Sequence, residues 1–169
     1  MKLQDAVAAD RNGELELAAA RYEQVLADGE ASLDVLMNLA VLYWQATDPG
    51  MSAAKKLSRD FLAIAGSRCP ELLDEAQRRF PKSTEPRFWR QYIAWADLGE
   101  PFEDDECRNL LREDPASLVP AMRLFSISDG KEAEPEALEL LRRCQEDRTT
   151  RANYVVSVIE AVLNRTGLH

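Results

Sequence analysis

Three thiols, one imidazole and one dense run of carboxylates are the groups from which chemistry would have to be built. Cys69, Cys107 and Cys144 lie 38 and 37 residues apart with no CxxC pair, and the single histidine is His169 at the end of the sequence. Tetrahedral zinc sites draw on closely spaced Cys and His, so this pattern is not that of a metal site. The run Glu103-Asp104-Asp105-Glu106 has no calcium-loop alternation. It reads as a first helical turn, where carboxylates offset unpaired backbone amides. The sequence has no phosphate-cradling glycine loop, no GxSxG elbow and no HExxH pair. The expectation is a protein without catalytic residues, metal ligands or cofactor, whose cysteines are reduced thiols on helices.

Charge is the other chemical resource. Thirty acidic against twenty-one basic residues among 169 give a net charge of -9, which disfavours nucleic acid and anionic membrane as partners. The distribution is uneven. Residues 1–50 carry three basic and nine acidic side chains, residues 51–100 nine and seven, and residues 101–169 nine and fourteen. Arg78, Arg79, Lys82, Arg87 and Arg90 fall within thirteen positions, beside Phe88, Trp89, Tyr92 and Trp95. An acidic peptide or the acidic end of a second copy would fit such an island, and its alternative reading is an ordinary charged outer face. Trp89 and Trp95 are six apart, about 120° out of alignment on a helix, so they cannot share one stripe. Trp95 is the candidate for a binding surface, its alternative being partial burial against an adjacent repeat. The opening MKLQDAVAADRNGELEL has no apolar stretch of leader length, and Val35 to Trp44 is too short to span a bilayer. A cytoplasmic protein is expected.

The elements that would position these groups all read as helices. Leu15, Ala18, Ala19, Tyr22, Val25 and Leu26 recur at three- and four-residue intervals before Gly29. Ser32 is placed to cap the next helix. There Val35, Leu36, Leu39, Ala40, Leu42, Tyr43 and Trp44 cover so much of the circumference that it should be packed on more than one side. TDPG at 47–50 is a turn, followed by a fourth helix through Ala53 and Ile64 that ends near Gly66, and a fifth opened by Cys69-Pro70. Further apolar stripes run through Phe88–Ala96, Phe102–Leu111, Leu118–Phe125, Ala137–Leu141 and Tyr154–Leu163. With a short helix over residues 2–11 this makes about ten helices and no sheet. Gly29, Gly66, Gly99, Gly130 and Gly167 are separated by 37, 33, 31 and 37 residues, two helices to an interval. Hairpins of that size bury their apolar faces only by stacking, so the spacing points to an α-solenoid forming one domain over residues 1–169.

The segment from Gly13 through Ala18, Tyr22 and Leu26, followed by Asn38, Leu39, Ala40 and Tyr43, resembles the second helix of a tetratricopeptide repeat running into the first helix of the next. Phe80-Pro81 through Trp89, Tyr92 and Trp95, and then Asp97-Leu98-Gly99, are similar to half-repeats of the same kind. The resemblance covers about half the chain, and residues 101–113 and 133–165 follow it in spacing alone. It implies a right-handed α-solenoid of about five antiparallel hairpins that binds a peptide or helix of a partner protein on a concave face. Asn38 stands where members of that family place a carboxylate-clamp asparagine. The basic residues that complete such a clamp are missing beside it, since Arg21 lies on the preceding helix and Lys55 and Lys56 on the following one. The functional expectation is a non-catalytic scaffold or adaptor. Its rivals are a self-assembling structural subunit and an enzyme or small-molecule binder with a cavity of convergent carboxylates inside the superhelix.

Overall fold

Serine and aspartate N-caps at Ser32, Asp48 and Ser58, and glycines in the left-handed region after several helices, mark part of the helix boundaries. In the computed structural model, which describes residues 2–168, these residues form ten α-helices and no strand. His169, the sole imidazole, lies outside the described residues. The contacts group the chain into two compact units. The first runs up to Phe80 and includes Thr149–Arg151; the second holds Pro81–Arg148 and the chain from Ala152 onward.

The first unit contains α1 (Leu3–Arg11), α2 (Leu15–Ala27), α3 (Leu33–Ala46), α4 (Pro49–Ala54) and α5 (Arg59–Arg79). Neighbours pack in the order α1 on α2, α2 on α3 and α3 on α5. Every residue from Val35 to Trp44 is buried, which makes α3 the central helix its all-round apolar pattern requires. The Ser32 Oγ accepts from the Val35 amide at 3.2 Å and caps it. Three polar links tie the surrounding helices. Glu23 of α2 receives Arg68 of α5 at 2.8 and 3.0 Å and the Tyr43 hydroxyl of α3 at 2.9 Å. Glu16 of α2 accepts from both the amide and the hydroxyl of Ser58, the N-cap of α5. Asp10 of α1, 2% exposed, accepts from the Tyr22 hydroxyl at 2.9 Å and from the Thr150 amide and hydroxyl at 2.8 and 2.6 Å.

The second unit contains α6 (Glu85–Leu98), α7 (Asp104–Glu113), α8 (Val119–Ile127), α9 (Glu134–Asp147) and α10 (Thr150–Thr166) from Ala152 onward. Helix α8 is its hub, packing on α6, α7 and α9. Pro86, Pro120 and Pro135 each stand in the first turn of a helix, where the missing amide hydrogen would have had no intrahelical acceptor.

The fourth and fifth helices of the sequence reading are corrected. A short α4 occupies Pro49–Ala54, capped by Asp48, and a single 21-residue helix runs from Arg59 to Arg79 through both Gly66 and Pro70. Pro70 lacks the amide that would bond the Gly66 carbonyl, four residues back, and its ring crowds that carbonyl. Both residues lie on the exposed side of the helix, and a Cβ added at Gly66 would meet nothing within 4 Å. On the other side Ala65, Cys69, Leu72, Leu73 and Ala76 form an unbroken buried stripe. Packing therefore carries the helix through two local breakers. Gly66 is not a helix end, which removes two of the four glycine intervals, whereas Gly29, Gly99, Gly130 and Gly167 do take positive φ.

Candidate functional site

Helix α6 brings together the largest share of the residues singled out in the sequence. The Thr84 amide at its entrance donates to Asp114 Oδ2 at 3.2 Å, and the Trp89 indole donates to Glu85 at 3.1 Å. Its inner face drives Phe88 and Trp89, each 0% exposed, and Tyr92 into an aromatic cluster with Phe102 and Tyr154, with ring centroids 5.4 to 6.1 Å apart. The hydroxyls of Tyr92 and Tyr154 share a 2.7 Å hydrogen bond. Burial raises the pKa of both phenols, so both are neutral donor–acceptor pairs at physiological pH.

Trp95 is half-buried rather than exposed, because a cation occupies one of its faces. Arg123 of α8, 4% exposed, places its guanidinium 4.9 Å from the Trp95 ring and 4.4 Å from Phe102. The same group donates to the Phe102 carbonyl at 2.5 Å and to Asp104 at 3.1 Å, while its Nε has no partner. Two rings, a carbonyl and one carboxylate thus hold a buried charge. Beneath it Cys107 donates to the Pro120 carbonyl at 3.3 Å, and burial pushes its thiol up to about 11. Such a thiol is unreactive at neutral pH.

The outer face of α6 is different. Arg87, Gln91 and Ala94, each half-buried, and Leu98 follow at helical spacing, with exposed Arg90 beside them, and Leu98 is 73% exposed, the highest value among the exposed large apolar side chains. The side-chain carbonyl of Gln91 is buried and has no hydrogen-bond partner. The strip therefore runs from a basic start to an exposed apolar end.

The remaining residues of the basic island divide between the units. Arg78 and Arg79 lie exposed in the last turn of α5, with Arg79 paired to Glu75 at 3.1 Å. Lys82, Arg87 and Arg90 belong to the second unit, where Lys82 and Arg90 are exposed and Arg87 pairs with Glu113 at 2.6 Å. Carboxylates from neighbouring turns and helices thus answer part of the positive charge. Asn38 is 6% exposed on α3 and its side-chain carbonyl lacks a hydrogen-bond partner. The clamp position is therefore buried inside the first unit. One turn earlier, Asp34 receives Arg151 at 3.3 Å, so the chain's own residues 149–151 lie against α1 and α3.

Sequence reasoning passed over Arg123 and Asp10. Arg123 sits within the apolar run 118–125, and a charge in that position was the available signal of a buried, partnered cation. No local signal marks Asp10, whose main partner is 140 residues away. Among the described residues no group of three or more His, Cys, Asp or Glu is placed to hold a metal ion, and no helix is long and apolar enough to cross a membrane. No family model, curated protein or solved structure matches the chain.

Proposed function

We propose that this protein is a non-catalytic, cytoplasmic protein-binding scaffold that holds an amphipathic helix of a partner on the outer face of α6. The supporting observation is the exposure of Leu98 at the end of the strip Arg87, Gln91, Ala94 and Leu98. An apolar side chain held in water at that level costs free energy that a partner's apolar residue would recover, roughly 25 cal/mol per Å² covered. Arg87 and Arg90, one to two turns before Ala94, would set register against carboxylates on the partner. Trp95, held by Arg123, gives the strip a rigid aromatic flank.

The scaffold itself is proposed to be a tetratricopeptide-like, right-handed helical repeat. The packing of α1 on α2 and of α3 on α5 supports that reading in the first unit, as does that of α7 on α8 and of α8 on α9 in the second. The irregular pair formed by α4 and the long α5 departs from it.

Affinity capture by the purified protein from native cell extract tests the proposal, run beside Leu98→Glu and the double variant Arg87→Glu, Arg90→Glu, each checked for helicity by circular dichroism. A partner retained by the native protein and lost with Leu98→Glu is the expected result. Equal retention by all three proteins contradicts the α6 site. Recovery of its own chain alone transfers the strip to self-association.

A further inference from the structure

We draw no further inference here: the strongest candidate, the groove of about 560 Å³ along the outer face of α1 between Leu3, Val7, Ala8, Arg11 and Glu30, is a partly apolar, unpartnered face and nothing in the structure shows what covers it.

Discussion

Ala133 shows how single residues carry local strain in this fold. It precedes α9 with φ 57° and ψ 30°, a left-handed conformation that costs an L-residue roughly 1 kcal/mol and a glycine almost nothing. Ala133→Gly should therefore raise stability by up to about 1 kcal/mol in urea titration. Gly130, at φ 82°, is the opposite case: a Cβ there would stand 2.7 Å from Leu168 Cδ1, so Gly130→Ala should destabilise. Arg123 is the more informative position. Arg123→Met keeps much of the volume but leaves the Phe102 carbonyl without its donor and removes the cation from the Trp95 face. The expected loss is about 1–3 kcal/mol in the urea transition, accompanied by a change in tryptophan emission. An unchanged midpoint and spectrum would mean that Arg123 is a bystander. The sequence signals its burial only by placing a charge inside an apolar run, because the spacing of Leu118, Met122, Leu124 and Phe125 defines the helix without naming the groups that receive that charge. Phe102, Asp104 and Trp95, which accommodate it, come from other elements.

At the scale of elements, periodicity and local punctuation competed, and packing decided between them. The buried run Val35–Trp44 was legible because it has no competing breaker, and its capping serine agrees with it. In α5 the signals conflicted: Gly66 and Pro70 suggest an end and a beginning, while the stripe Ala65, Cys69, Leu72, Leu73 and Ala76 continues across them. That stripe prevails because it lies against α3, a long-range fact. Pro70→Ala restores a donor for the Gly66 carbonyl and should stabilise the protein by about 1–3 kcal/mol; Gly66→Ala, whose Cβ would meet nothing within 4 Å, should add roughly 0.5–1 kcal/mol. Thermal melts with both midpoints rising would support a continuous helix. A fall with Pro70→Ala would mean that proline fixes a bend the fold requires.

Across the whole molecule, polar contacts that span the sequence complete what the helices begin. Asp10 supplies the Thr150 amide, at the start of α10, with an acceptor from 140 residues away. Asp10→Ala strips that amide, the Thr150 hydroxyl and the Tyr22 hydroxyl of their shared partner at once. The expected cost is on the order of 3 kcal/mol, with hydrogen exchange accelerated at residues 149–151.

Thiol chemistry reports on the two units separately. Cys69 in the first and Cys107 in the second are buried, while Cys144 in the second is half-buried. A thiol reagent at pH 8 should label Cys144 first and the other two only as the protein unfolds. The Cys107 pKa is raised by burial from 9 to about 11, so the folded state favours the protonated thiol. Its contribution is complete below pH 9 and is lost as the pH rises through 11, about 2–3 kcal/mol in all. Stability that stayed flat between pH 9 and 11 would contradict the burial of this thiol. The basic island was legible as composition but not as a surface. Its charges are visible in the chain, whereas Glu75 and Glu113, which answer Arg79 and Arg87, become visible only when the helices fold and pack.

The central claim is that the outer strip of α6 receives a partner, and site-specific photocrosslinking tests it most directly. A benzophenone amino acid replaces Leu98 in one protein and Ser157, exposed on α10, in a control, and each is irradiated in native extract. The account predicts a discrete crosslinked product from position 98 that is absent from position 157. No product from position 98, or the same set from both positions, would contradict it.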